Sequence, residues 1–182
     1  MTRLSMPEQF GALYVCPASG DQNALHAAAH SLLQEALADY AVPMPSAKLY
    51  YREDGKPFFA DAPGLYVSLS HCSGMAAVLL SGHVCGVDCE RRRPLRERVV
   101  QRVFAPEEQA ALAASDDPDF LFTRLWTLKE SYVKAIGTGI SYPMRELCFT
   151  PGTGEMHSNR QDARFWHCIE GDFAVSACIL HK

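Results

Sequence analysis

The hydrophobic positions of the chain switch between two periods. Leu25, Ala29, Leu32, Leu33, Ala36 and Leu37 recur at steps of three and four, the spacing of one buried helix face. Asp21 or Asn23 is placed to cap this helix, which runs to about Tyr40, and Pro43 and Pro45 end it, because a proline inside a helix removes a donor and clashes with the preceding turn. Before it, Gly11 to Cys16 reads as a short strand. After it, Leu49-Tyr50-Tyr51-Arg52 and Lys56-Pro57-Phe58-Phe59 read as the arms of a hairpin around Glu53-Asp54-Gly55. Leu65 to Ser70, Met75 to Leu80 and Val84 to Asp88 predict three more strands, with turns at Ser73-Gly74 and Ser81-Gly82.

The helical period returns after Pro94. It predicts a helix over Arg96 to Phe104, a new start at Ala105-Pro106-Glu107-Glu108, and a long helix from about Pro118 to Ile136. Gly137 and Gly139 stop that helix, as a glycine just past the last turn does. Leu147 to Thr150, Arg164 to Ile169 and Phe173 to Leu180 close the chain as strands. The order strand-helix-strands, then helices-strands, predicts an α+β fold of two lobes. Met75-Ala76-Ala77-Val78-Leu79-Leu80 is faintly echoed by Phe173-Ala174-Val175-Ser176-Ala177-Cys178.

Composition narrows the class. With 182 residues, 48% hydrophobic and 21% charged, the chain is a globular protein of one domain or two small lobes. A net charge of -4 argues against nucleic acid, which calls for a broad basic footprint. The charge is uneven, however. Arg3 is the only Arg or Lys between Met1 and Ala47, whereas Arg91, Arg92, Arg93, Arg96, Arg98 and Arg102 crowd one short stretch. Such a patch suits an anionic small molecule or an acidic protein. Seven cysteines without a C-x-x-C pair imply a reducing, cytoplasmic setting with neither disulfides nor a thiolate zinc site. The segment MTRLSMPEQF lacks the apolar core of a signal peptide, and no run is long enough to span a membrane.

Three segments carry candidate chemistry. In Gly86-Val87-Asp88-Cys89-Glu90 the strand alternation aims Asp88 and Glu90 to one side and Val87 and Cys89 into the core. Two neighbouring carboxylates repel unless a cation lies between them, and Mg²⁺ is the natural hard ion; otherwise Glu90 simply pairs with the arginines that follow. In Trp126-Thr127-Leu128-Lys129-Glu130-Ser131-Tyr132-Val133-Lys134, steps of four set Trp126, Glu130 and Lys134 on one helix face. The plain alternative is a core Trp126 with an exposed Glu130–Lys134 pair. In Ser68-Leu69-Ser70-His71, the histidine either binds a phosphate or caps a turn. Lys56, after Gly55, is open in the same way.

In this order and spacing, Gly55-Lys56-Pro57, Ser68-Leu69-Ser70-His71, Gly86-Val87-Asp88-Cys89-Glu90 and Trp126 to Ala135 resemble the 4′-phosphopantetheinyl transferase superfamily, and Phe104-Ala105-Pro106-Glu107-Glu108 fits its Phe-rich segment ending in Glu. The upstream Gly55-Lys56-Pro57 and Ser70-His71 point to the larger, pseudo-dimeric type, which serves polyketide and nonribosomal peptide synthases. The resemblance implies two similar α+β lobes with the active site between them: residues 1–84 for the adenine and 3′-phosphate end of coenzyme A, and residues 85–182 for the metal and catalytic motifs. It implies transfer of phosphopantetheine from coenzyme A to a serine of an apo acyl or peptidyl carrier protein, by a monomer. Asp88, Glu90 and Glu130 resemble the Mg²⁺ ligands, and Lys134 the lysine on the pyrophosphate and leaving group. Ser70 and His71 resemble the 3′-phosphate contacts, and Gly55, Lys56 and Pro57 those to the adenine end. Glu130 and Glu108 both remain open as the acceptor of the serine proton. Cys89 departs from the family's aliphatic residue, and the short N-terminal region offers His26 and His30 where larger relatives bring Lys and Arg. The competing expectations are a non-catalytic carrier-binding module that kept the fold, and an Mg²⁺-dependent phosphohydrolase built on Asp88 and Glu90.

Overall fold

The structure, a computed structural model, describes residues 1–40, 48–152 and 156–181. Strands Thr2–Leu4 (β1) and Ala12–Ala18 (β2) precede a helix over Gln22–Asp39 (α1), whose first turn is capped by Asp21 accepting from the Ala24 amide at 2.9 Å. Pro43 and Pro45, expected to end that helix, lie outside the described residues. The hairpin Leu49–Tyr51 (β3) and Pro57–Phe59 (β4) follows, then Tyr66–Cys72 (β5), Gly74–Ser81 (β6) and Cys85–Arg91 (β7). Helices Glu97–Val103 (α2), Pro106–Ala113 (α3) and Pro118–Ile136 (α4) fill the middle. The strands Phe149–Pro151 (β8), Met156–Ser158 (β9), Ala163–Glu170 (β10) and Phe173–Leu180 (β11) end the chain. Gly137 closes α4 at φ 76°, a left-handed conformation that suits glycine.

Among the described residues the two larger antiparallel sheets are ordered β1-β2-β6-β5 and β10-β11-β7, beside the two-stranded pairs β3-β4 and β8-β9. Each of the larger two is a strand, a helix, and a hairpin whose second strand returns beside the first: β2-α1-β5-β6 and β7-α4-β10-β11. The echoed segments are β6 and β11, the central strands. Strand alternation then layers the molecule. Ala12 and Tyr14 face α1 in one core; Leu13, Val15, Ala77 and Leu79 face Val87, Cys89, Val175 and Ala177 of the other sheet in a second. Phe122, Leu125, Leu128 and Tyr132 of α4 make a third core with Phe149 and Cys178. The order is helix, sheet, sheet, helix.

Beside the backbone ladders runs a joint made by side chains. Ser68 Oγ accepts from the Val87 amide at 3.0 Å, and Ser70 Oγ from the Cys89 amide at 3.3 Å. The two hydroxyls thus satisfy edge amides of β7 from β5, which fixes one sheet against the other. The strands β1 and β9, which the hydrophobic pattern does not reveal, hold three residues each, too few to display a period. All seven cysteines are free. Among the described residues no helix is long and apolar enough to cross a membrane.

Candidate active site

Gly86, Asp88 and Glu90 share the face of β7 that meets α4. Gly86 makes the meeting close: a Cβ there would stand 2.0 Å from the Ser131 carbonyl oxygen. Two residues on, Asp88 is buried, and its Oδ1 accepts from Lys134 Nζ at 2.7 Å and from Ser70 Oγ at 2.8 Å. Ser70 Oγ also accepts from Lys134 Nζ at 2.9 Å. One donated and two accepted bonds exhaust a hydroxyl, so Ser70 is saturated by the protein. Burial alone would lower the pKa of the Lys134 ammonium; the Asp88 carboxylate reverses this, and the net shift is upward.

Glu90 and Glu130 flank this pair. Burial raises both of their pKa values, and the Asp88 charge raises them further. Arg93 partly offsets this from 3.7 Å at Glu90 Oε1, and its guanidinium is held over the Trp126 ring at 4.7 Å and the Phe122 ring at 5.5 Å. The motif tryptophan therefore bears on the acid cluster through an arginine. Among the described residues no three His, Cys, Asp or Glu side chains form a finished coordination set. The donors nevertheless suit a hard cation, which takes carboxylate oxygens. Asp88 Oδ2 is buried without a hydrogen-bond partner, an uncompensated state that a cation would relieve.

Glu130 borders two cavities. The first, about 370 Å³, is lined by His26 and His30 of α1, Tyr51 of β3, the turn from Asp54 to Pro57, Ser68, Leu69 and His71 of β5, and Glu130, Val133, Lys134 and Gly137 of the α4 end. Lys56 Nζ donates to the Ala135 carbonyl, tying the hairpin turn to the C-terminal, negative end of α4. Burial lowers the Lys56 pKa. The second, about 610 Å³, is walled by Arg98, Arg102 and Arg145 with Val99, Val103, Trp126, Tyr142 and Met144. The arginine run thus divides. Arg91 and Arg92 pair with Asp172 and Asp117, Arg93 serves Glu90, and Arg98 and Arg102 line this groove.

Of the residues expected at one site, Gly55, Lys56, Pro57, His71, Glu130 and Lys134 line the first cavity, with Asp88 behind Lys134. Two differ. Ser70 lies beneath the cavity wall, saturated as described, rather than facing a ligand. Glu108 is fully buried. Its Oε2 accepts from the Ala105 amide at 2.7 Å and pairs with Lys129 Nζ at 2.8 Å, and its Oε1 accepts from the Phe149 amide at 2.9 Å. Lys129 also donates to the carbonyls of Met144 and Leu147. This assembly ties α3, α4 and the segment before β8 together, and it lines neither cavity. Tyr51, Asp54, Val133 and Gly137 were not singled out as cavity residues by sequence; the closely spaced Gly137 and Gly139 after a helix were the available signal.

The model of the 4′-phosphopantetheinyl transferase superfamily matches residues 84–178, from the start of β7 almost to the end of β11. The chain belongs to this superfamily. It is 33% identical over 142 residues to the 4′-phosphopantetheinyl transferase AcpT of Salmonella typhimurium, covering 75% of this chain and 71% of that one. It is 33% identical over 153 residues to 4′-phosphopantetheinyl transferase HetI of Nostoc, covering 79% and 63%. With 4′-phosphopantetheinyl transferase Sfp of Bacillus subtilis it shares 28% identity over 107 residues, 58% of this chain and 48% of Sfp; the chain spans about half the length of such relatives. Among solved structures, the holo-[acyl-carrier-protein] synthase of Thermotoga maritima superposes on 54% of this chain and 62% of its own, with a TM-score of 0.47 and 21% identity.

Proposed function

We propose that this superfamily member transfers the 4′-phosphopantetheine group of coenzyme A to a serine hydroxyl of an apo acyl or peptidyl carrier protein, releasing adenosine 3′,5′-bisphosphate. The observation that carries the reading is the position of Glu130 on the wall of both cavities. One cavity presents imidazoles, lysines and a hairpin turn suited to a phosphorylated nucleotide. The other presents three arginines among apolar side chains, suited to the acidic surface that delivers the serine.

Asp88, Glu90 and Glu130 would hold a Mg²⁺ ion, which when bound supplies positive charge against the pyrophosphate. The remaining chemistry is assigned to the chain itself. Glu130, which stands on the wall of both cavities, accepts the serine proton as the serine oxygen bonds to the pantetheine-side phosphorus. Glu108, with both oxygens occupied and a buried ammonium against it, is not the acceptor. The bond from that phosphorus to the bridging oxygen breaks, and the bisphosphate leaves with its electron pair. Because the Lys134 pKa is raised, this residue keeps its proton and acts as a fixed positive charge on the leaving oxygen. A phosphate monoester has a second pKa near ~6 and needs no proton to depart at neutral pH. Ser70 holds Asp88 and Lys134 in register. His71, Lys56 and the Gly55–Pro57 turn take the nucleotide end. Residues 1–84 would then form the coenzyme lobe and residues 85–182 the metal and catalytic lobe. Both walls come from one chain, which supports a monomer, and the free cysteines support a cytoplasmic setting.

The test is intact-mass spectrometry of an apo carrier incubated with this protein, coenzyme A and Mg²⁺. A gain of one phosphopantetheine that EDTA abolishes, and that Glu130→Gln reduces by about 10²-fold or more, is expected. Near-normal turnover by Glu130→Gln would overturn the assignment of the base.

A further inference from the structure

Strand alternation turns Ser68, Ser70 and Cys72 of β5 toward β7, and the joint between the sheets uses all three. Ser68 takes the Val87 amide and Ser70 the Cys89 amide. Two residues further on, the Arg91 amide donates to the Cys72 sulfur. A thiol thus stands where the pattern calls for a third hydroxyl. The Cys89 side chain, directed into the core between the sheets, has two acceptors for its one hydrogen: the Cys72 sulfur and the Met75 carbonyl at 3.9 Å. Met75 is the residue opposite Cys72 across the β5–β6 hairpin. Two thiols therefore meet at the joint, one from each sheet.

The other thiols are placed differently. Cys85 and Cys178 are fully buried, and Cys148 and Cys168 each have a carboxylate as acceptor, Glu107 and Glu170, at 4.0 Å. Cys72 is half-buried at the end of its strand, beside the exposed Arg91, whereas Cys89 is 1% exposed. An oxidant arriving from water meets Cys72 first, with Cys89 behind it. The Cys89 hydrogen bond also lowers the Cys72 pKa against the effect of burial, which favours the reactive thiolate there.

We propose that Cys72 and Cys89 form an oxidation site, closed by peroxide into a disulfide that disables the neighbouring acid cluster. The effect on catalysis rests on the transferase reading given above; the oxidation does not. The Cys72 sulfur attacks one peroxide oxygen, the O–O bond breaks, and the departing hydroxide takes the thiol proton and leaves as water. The Cys89 sulfur then attacks the sulfenic sulfur of Cys72, the S–O bond breaks, and the hydroxyl leaves with the Cys89 proton as a second water. Two thiols lose two hydrogens and one peroxide becomes two waters. A thiol reductant reverses the step by exchange. Bond formation draws the sulfurs together by more than about 1 Å. Cys89 lies between Asp88 and Glu90 in β7, and its amide is held by the Ser70 hydroxyl that also bonds Asp88 and Lys134. The displacement therefore falls on the proposed metal ligands.

The test exposes the reduced protein to hydrogen peroxide and follows unreduced peptide maps, Mn²⁺ binding in place of Mg²⁺, and carrier modification. A peptide joining Cys72 to Cys89, two hydrogens lighter, is expected. Mn²⁺ affinity should fall by about tenfold or more, and the transfer rate by a similar factor, since 1 Å of misplacement costs up to roughly 10²-fold. Dithiothreitol should restore all three. Cys72→Ser, which supplies the hydroxyl of the pattern, should keep the parental rate and Mn²⁺ affinity before and after peroxide. Thiols that stay free, a link between other cysteines, or a linked protein with unchanged Mn²⁺ affinity overturns the inference; so does an equal loss in Cys72→Ser. Linkage with weakened Mn²⁺ binding in a protein that modifies no carrier even when reduced leaves the inference standing and removes the transferase reading. Carrier modification without linkage does the reverse.

Discussion

Gly86→Ala adds one methyl group where α4 crosses β7. The new Cβ would lie 2.0 Å from the Ser131 carbonyl oxygen, 2.5 Å from the Ala135 amide nitrogen and 3.1 Å from the Lys134 carbonyl carbon. These are backbone atoms of a helical turn, so no side-chain rotation relieves the contact. Clearing the nearest atom to 3.0 Å requires α4 to retreat by about 1 Å, and overpacking of this kind costs about 1–3 kcal/mol. For a chain of this size each kcal/mol lowers Tm by roughly 2–4 °C.

The same retreat carries Glu130 and Lys134 away from the strand. A 2.7 Å contact between Lys134 Nζ and Asp88 Oδ1 lengthened by about that amount no longer counts as a hydrogen bond. Misplacement by 1 Å reduces a catalysed rate by up to roughly 10²-fold. The assay pairs thermal denaturation with the initial rate of carrier modification, taken at a temperature where circular dichroism shows the variant folded. Gly82→Ala is the control, since nothing lies within 4 Å of a Cβ there; it should change neither quantity. A Gly86→Ala protein with parental Tm and parental rate would refute the reasoning, because the strand–helix contact would then not position the site.

Glu108→Gln leaves the Lys129 ammonium buried without its counter-charge and should destabilise the fold by about 3 kcal/mol or more, while the rate per folded molecule, measured at low temperature, stays within a few-fold of parental. A collapse of that rate in fully folded protein would restore Glu108 to the chemistry. Ser70→Ala removes a partner from Asp88 and from the Cys89 amide; a stability loss of about 1–3 kcal/mol in urea titration and a slower transfer are expected. Tyr14 is pushed up to about 12 by burial, then by its 2.8 Å bond to Asp39. Its folded pKa exceeds the unfolded value near ~10, so its contribution is whole below that value and lost as pH rises toward 12. Tyr14→Phe should flatten this alkaline loss in denaturation curves taken across that window.

The elements were largely legible because their signals are local. The α1 stripe beginning at Leu25, the Asp21 cap and the Gly137 stop each depend on neighbours within a turn, and each stands where the pattern set it. The alternation that sent Val87 and Cys89 inward also held. The site was legible as a list of residues rather than as an arrangement. Nothing within four residues of Glu108 reveals that the Phe149 amide and the Lys129 ammonium close on it, since those partners are 41 and 21 positions away. Ser70 failed to read as a brace for the same reason: its three bonds reach across 18, 19 and 64 residues. The arginine run looked uniform because charge alone does not say which members find carboxylates.

The repeated architecture sets different side chains at matching positions of its two halves. Setting Met75–Leu80 over Phe173–Cys178, as the echo suggests, matches Leu80 with Cys178, Val78 with Ser176 and Ala76 with Ala174. Carried across the ladders, where Ala12, Tyr14 and Cys16 oppose the first set and Gly86, Asp88 and Glu90 the second, this equates Tyr14 with Asp88 and Cys16 with Glu90. Both Tyr14 and Asp88 face a helix and bond to it, Tyr14 to Asp39 of α1 and Asp88 to Lys134 of α4. In the first half the bond is a neutral hydroxyl closing a packed core around Leu33 and Ala36. In the second it is an ion pair whose other carboxylate oxygen is left unpartnered. The two halves thus share one backbone solution, and the difference between them lies in side chains. The first half uses its position for stability and contributes α1 and β5 to the cavity wall; the second leaves its position polar, under-satisfied and open to a ligand.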